Sequence, residues 1–283
     1  MKIMFFMMLS ASVCLGANNS NWKPKYEKNK LKELKTKIKS TPTSQKTLSP
    51  KTESKVSYTP KTPLEAMYLK SSNSKTYISK LKAETMKLKQ DAVPSLINVM
   101  KISAFPDENK WVATFMLGKI MGKKSADFIS KFSAHPSWMM RLASLKVLLH
   151  LEQKQYVGIY ARLLEDKSLI VRHQALQNIK EMNLKSLAPY VWKMLYNKEN
   201  YVGQKGSRKR SNIIKDAIKV VGELELKEAV TPMLTMINRT KYQDVHAELD
   251  YSLSKIMKKD SPEGPMTIKR NYWKRVGLAQ TKI

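Results

Sequence analysis

His246 and Asp250 stand one helical turn apart, a spacing at which an imidazole and a carboxylate can share a proton or begin a metal site. They have no third member. His135, His150 and His173 lie in separate segments, and none has a carboxylate at helical spacing. An isolated pair four residues apart is the pattern of a surface contact. Cys14 is the only cysteine, so the chain can form neither an intrachain disulfide nor a thiolate zinc site. The stretch GQKGSRKR lacks the strand-to-helix context and the spacing of a phosphate loop, and no serine stands in a nucleophile elbow. These residues predict no catalytic centre, no metal and no cofactor, and the chain reads as a non-enzyme.

What remains is surface chemistry, and a repeated helix sets the surface. In LIVRHQALQNIKEM, from Leu169 to Met182, the residues Val171, Ala175, Ile179 and Met182 fall on one helical stripe. The same triplet of a small or apolar residue followed by two apolar ones recurs. It reads Ala113, Leu117, Ile120; Ser144, Leu148, Leu151; Ala175, Ile179, Met182; Ala217, Val221, Leu224; and Leu249, Leu253, Ile256. First members are 31, 31, 42 and 32 residues apart. A period in this range marks helical units that bury their apolar faces only against neighbours. Each triplet helix follows a shorter apolar one: DAVPSLINVMK, SADFISKFSA, QYVGIYARLLED, SLAPYVWKMLYN and EAVTPMLTMIN. The turns between them carry Pro, Asp, Asn and Ser.

AVPSLINVM, DKSLIVRHQALQNI and VVGELELKEAVTPML resemble the units of HEAT-repeat and HEAT-like proteins, over about Asp91 to Met257. The resemblance implies an all-α fold, an α-solenoid of about five HEAT-like helix pairs, whose second helices line a concave surface that holds another macromolecule. It also implies that the row three before the triplets, Lys110, Arg141, Arg172, Ile214 and His246, is structural. Arg172 would then pair with Asp166 of its preceding turn, with Asp107 a weaker partner in the first unit.

The other segments follow from composition. Residues 1–17 predict a secretory signal peptide: one Lys, an apolar run from Ile3 to about Val13, then small residues. Export to the periplasm or cell envelope follows, with no transmembrane span once the signal is removed. A lipoprotein signal acylated at Cys14 is a second reading, from which Ala11 and Val13 depart. Residues 18–61 are Lys-, Ser-, Thr- and Pro-rich and predict a disordered tether. Residues 62–90 predict capping helices, beginning with Thr62 as cap, Pro63 in the first turn and Glu65 reaching back to the cap's amide. Residues 91–259 hold the repeats, and 260–283 form a basic, aromatic tail in which Tyr272 and Trp273 dock on the last unit. The excess between Ala175 and Ala217 lies in a loop, residues 197–212, with Lys205, Arg208, Lys209 and Arg210 as contact points or as a solvated insertion.

The formal charge of +29 favours polyanions of any kind. Its density is greatest at the start: residues 18–90 hold 18 Lys against five acids. On the second helices, residues two and six beyond each first member sit about 200° and 240° round from the buried stripe. One row reads Phe115, Lys146, Gln177, Lys219, Tyr251, the other Lys119, His150, Glu181, Glu223, Lys255. This mixture suits a protein surface or a sugar chain better than a duplex, which calls for near-uniform Lys and Arg.

The leading expectation is therefore an exported scaffold for protein–protein interaction. Its partner-binding residues are Phe115, Lys119, Lys146, Gln177, Lys219, Tyr251 and Lys255, and its basic tether approaches anionic envelope components. The competing expectation is a nucleic-acid-binding protein of the HEAT-like DNA glycosylase type, which cradles a duplex on the concave side, with Trp111, Trp138 and Asp residues as candidates to serve it. The export signal and the acids Glu181, Glu223 and Asp250 argue against nucleic acid. A HEAT-like chromophore lyase has only the shared repeat in its favour.

Overall fold

The computed structural model describes residues 58–72, 74–201 and 211–280. The expected signal peptide with Cys14, most of the expected tether and the basic loop residues Lys205, Arg208, Lys209 and Arg210 lie outside the described residues. Among the described residues all regular structure is helical. None of these helices is long and apolar enough to cross a membrane.

Two helices precede the repeats: α1, Pro63–Leu69, and α2, Lys75–Leu88. Thr62 caps α1 by accepting the Glu65 amide at 3.1 Å. The Glu65 carboxylate does not return to the cap's amide. It is buried, and it accepts from the Lys61 amide at 2.7 Å, the Tyr58 hydroxyl at 2.8 Å and the Asn98 side chain at 3.0 Å. A carboxylate enclosed between two helices takes the donors around it, so the expected capping box is displaced by one residue. Burial raises the pKa of this carboxyl, but the bonds from Asn98, Lys61 and Tyr58 outweigh burial and hold it below its usual range.

Five pairs follow: α3, Val93–Lys101, with α4, Asp107–Met121; α5, Ala126–Ser130, with α6, Trp138–His150; α7, Val157–Leu163, with α8, Leu169–Glu181. The last two are α9, Ala188–Lys193, with α10, Asn212–Glu223, and α11, Val230–Ile237, with α12, His246–Met257. Each first helix packs on its second helix, and α2, α4, α6, α8, α10 and α12 pack each on the next in chain order. Packing of α1 on α3, and of α2 on α4, makes the capping helices a further pair in the same series. The triplets form the buried stripe between layers, with Ile120 alone among them only half-buried.

The second helices meet in one register. Asn178 donates to the Leu145 carbonyl and Ser252 to the Ile218 carbonyl, each at 2.8 Å, joining α8 to α6 and α12 to α10 through equivalent positions. Gly118 faces Val147, and Gly222 faces Ser252, again at equivalent positions; a Cβ on either glycine would lie 2.6 Å from its neighbour. His173 with Asp216 and Lys215 with Glu248 repeat one pair of positions between α8 and α10 and between α10 and α12. All four junctions therefore share an alignment, and side chains at equivalent positions lie side by side.

Three of the second helices, α6, α8 and α10, also end alike. Glu152, Asn183 and Glu225 sit eight residues beyond their first members with φ of 53°, 51° and 57°. The next amides, of Gln153, Leu184 and Leu226, return to the carbonyls of Leu148, Ile179 and Val221. These are the bonds of a Schellman cap. The tail is a helix, α13, Met266–Gln280, packed on α11 and α12.

Candidate functional site

The row three residues before each triplet is structural. Lys110, Arg141, Arg172, Ile214 and His246 are all buried. Their partners differ from expectation. Arg141 grips the Asp166 carboxylate of the following unit with bonds of 2.7 and 2.8 Å, and its remaining donors reach the His135 and Pro136 carbonyls. Arg172 meets Asp166 only through its backbone carbonyl, at 2.6 Å. Its guanidinium turns forward to the Asn200 side chain at 2.7 Å and the Glu199 carbonyl at 3.0 Å. Each arginine thus spans the gap to the next unit, because the carbonyls of its own turn already fill its near side. Lys110 does lie 3.5 Å from Asp107, as the first unit suggests.

At the C-terminal end Trp273 is fully buried, and its indole N–H donates to Asp250 Oδ1 at 2.7 Å, while the Lys269 ammonium takes Oδ2 at 2.9 Å. Burial raises the pKa of Asp250, yet the bonds from Ser261, Trp273 and Lys269 outweigh it and keep the carboxyl below its usual range. The expected docking of the tail thus falls to Trp273, with Tyr272 half-buried beside it. His246 turns away to the Arg239 carbonyl at 3.3 Å, so the His246 and Asp250 side chains serve different contacts. Among the described residues no three His, Cys, Asp or Glu side chains converge as metal ligands.

The outward rows remain as surface. Lys119, Lys146, Lys219, His150, Glu181 and Lys255 are exposed, Tyr251 is 38% exposed, and Phe115, Gln177 and Glu223 are half-buried. Phe115 rests against Trp111 with ring centroids 5.1 Å apart. The Lys255 ammonium lies 5.5 Å above the Tyr251 ring, whose hydroxyl donates to Glu223 at 3.3 Å.

Sequence periodicity alone does not reveal how this face is paired. The carboxylates of α10 and α12 that border it are taken by neighbouring helices: Asp216 by His173 at 3.1 Å, Glu223 by Lys180 at 3.7 Å and Glu248 by Lys215 at 3.9 Å. Lys119, Lys146 and Lys219 have no ion pair among the described residues. Of the bordering acids, Glu181 is the one left without a partner there. The face is therefore electropositive, with an aromatic side chain toward each end.

Other features lie away from it. Trp138, Leu169 and Ile170 are exposed at the starts of α6 and α8. A depression of about 360 Å³ between α7 and α9 is lined by Tyr190, Lys193, Glu165 and others, with Glu165 and Lys193 paired at 2.5 Å. None of the sequence-derived candidates lines it. Compared with known families and curated proteins, the chain matches no family model and no curated sequence.

Proposed function

We propose that this chain is an exported, non-enzymatic α-solenoid of HEAT-like helix pairs that works as a scaffold for protein–protein interaction in the cell envelope. Its second helices form the concave binding surface, and its basic N-terminal segment holds anionic envelope components. The observation that carries this reading is the single register of the four junctions from α4 to α12. A shared register turns separate side chains into continuous rows, and long rows on stacked helices suit a macromolecule better than a small metabolite. The arginines that are buried support the same reading, since they join units rather than face solvent.

Phe115, Lys119, Lys146, Gln177, Lys219, Tyr251 and Lys255 contact the partner. Crosslinking in cells followed by pull-down of the mature protein recovers a defined partner, and Lys146→Glu with Lys219→Glu abolishes its recovery. Recovery unaltered by both reversals removes this face from the function. Fractionation with N-terminal sequencing checks export: a mature start near residue 18 supports it, and a chain retained in the cytoplasm with Met1 intact refutes it.

A further inference from the structure

If the second helices hold a protein, as proposed above, the row Phe115, Lys146, Gln177, Lys219, Tyr251 specifies its chemistry. We infer that this face takes an extended acidic segment of another protein, with two carboxylates about six residues apart and an apolar residue about three residues outside each. Packed helices lie about 10 Å apart, and an extended chain rises about 3.3 Å per residue, so a strand crossing the stack advances about three residues per helix. Its register then reads apolar at α4, acidic at α6, polar at α8, acidic at α10 and apolar at α12.

Each position has a physical reason. Lys146 and Lys219 are exposed and have no ion pair among the described residues, so each can take a carboxylate without surrendering one. The carboxylates Glu223 and Glu248, which would repel an acidic chain, lie 3.7 and 3.9 Å from the Lys180 and Lys215 ammonium groups, and Asp216 is turned to the His173 ring at 3.1 Å. Phe115 and Tyr251 offer ring surface at the two ends. Gln177 presents an amide at the centre, and Glu181 beside it is exposed and has no ion pair among the described residues, so an acid is disfavoured there. A duplex places phosphates along its whole length and would meet Glu181 and two rings where it needs cations. A polypeptide can leave those positions uncharged.

Fluorescence anisotropy with the full chain tests this. The probe is a labelled peptide of about 13 residues with Leu at both ends, Glu at the fourth and tenth positions, and Ser and Thr elsewhere. Controls are a scrambled peptide of the same composition and a short DNA duplex. The expected result is peptide binding that Lys146→Glu with Lys219→Glu weakens by about tenfold or more. The pair Lys124→Glu and Lys154→Glu, at exposed turn positions beyond the ends of α4 and α6, leaves binding within about twofold. Both outward reversals are at exposed sites, and a circular dichroism spectrum checks that the fold persists. Equal binding of the scrambled peptide overturns the inference, as does tighter binding of the duplex that falls with the same reversals. A partner whose recovery depends on Lys146 but is not displaced by the peptide also overturns it, while leaving the scaffold reading intact. Peptide binding as expected with no partner recovered counts against the scaffold reading alone.

Discussion

The Arg141 guanidinium closes on the Asp166 carboxylate through two parallel hydrogen bonds, Nε to Oδ2 at 2.7 Å and Nη2 to Oδ1 at 2.8 Å, across the boundary between consecutive helix pairs. Both side chains are buried, and Asp166 Oδ1 also accepts the Ser168 amide at 2.8 Å at the start of α8. One carboxylate thus holds the turn that leads into α8 and ties it to the preceding unit. Asp166→Asn keeps the shape but removes the charge, leaving the buried guanidinium with carbonyl partners only. The loss is expected to be about 3 kcal/mol in urea unfolding, the range for a broken buried pair. Adding Arg141→Met should recover part of it, since an apolar replacement leaves no orphaned charge. Equal stability of Asp166→Asn and the parent would show the pair to be incidental.

The turn before α6 carries a histidine where the turn before α8 carries that aspartate. His135 and Asp166 each stand six residues before an arginine, and His135 Nδ1 accepts the Ser137 amide at 3.1 Å as Asp166 accepts the Ser168 amide. Acceptance at Nδ1 requires a neutral ring. Burial lowers the pKa of His135, and Lys110 and Arg141 lower it further against the opposing pull of Asp107. The folded pKa lies below the unfolded one, so this stability is complete above about pH 6.5 and is lost as pH falls through the folded value. His135→Asp supplies Lys110 with a carboxylate and keeps the amide acceptor. It is expected to raise stability by roughly 1 kcal/mol at neutral pH and to flatten the decline between neutral and mildly acid pH. Thermal melts across that range check it, and an unchanged acid slope refutes it. The part of the slope due to His246, whose pKa burial also lowers, persists in the variant.

Much of this architecture is visible in the spacing of apolar residues. The triplet from Ala113 to Ile256 marks the buried stripe because burial constrains residue type at a fixed helical period. The partners of buried cations are harder to read. Arg172 and Asp166 are close in sequence and share a turn, yet the carboxylate goes to Arg141, since proximity along the chain does not say which side of a turn an oxygen faces. The displacement of Glu65 to the Lys61 amide has the same origin. The outward rows could be placed by helical geometry, but their pairing could not. Whether Glu223 is free depends on Lys180 and Tyr251, which belong to different helices.

Trp273 fastens α13 to the end of the stack. Its ring is fully buried against α11 and α12, its N–H holds Asp250, and Arg270 reaches the Ile237 carbonyl at 3.1 Å. Trp273→Ala is expected to cost about 3–5 kcal/mol locally and to expose the last pair. Hydrogen exchange should then quicken in α13, α11 and α12 while α4 and α6 keep their protection. Trp273→Phe retains most of the packing but leaves one Asp250 oxygen short of a donor, so its loss is smaller. Uniform acceleration along the chain would instead mean that the units unfold as one.

The helix ends offer a stabilising test. Glu152 and Glu225 occupy equivalent left-handed positions, where a Cβ is strained by about 1–2 kcal/mol and glycine is not. Glycine also adds freedom to the unfolded chain, which takes back about half of that gain. The Glu152 side chain is exposed and makes no hydrogen bond or ion pair among the described residues, so Glu152→Gly should gain about 0.5 kcal/mol in urea unfolding. Glu225 differs because its carboxylate binds both Lys185 and Lys258, which together hold its pKa below the usual range. Glu225→Gly relieves the same backbone but releases both lysines, so it should gain less than Glu152→Gly or lose stability. Raising ionic strength screens those exposed pairs and narrows the difference between the two variants. A larger gain at Glu225 than at Glu152 would mean that the paired lysines contribute nothing to the fold.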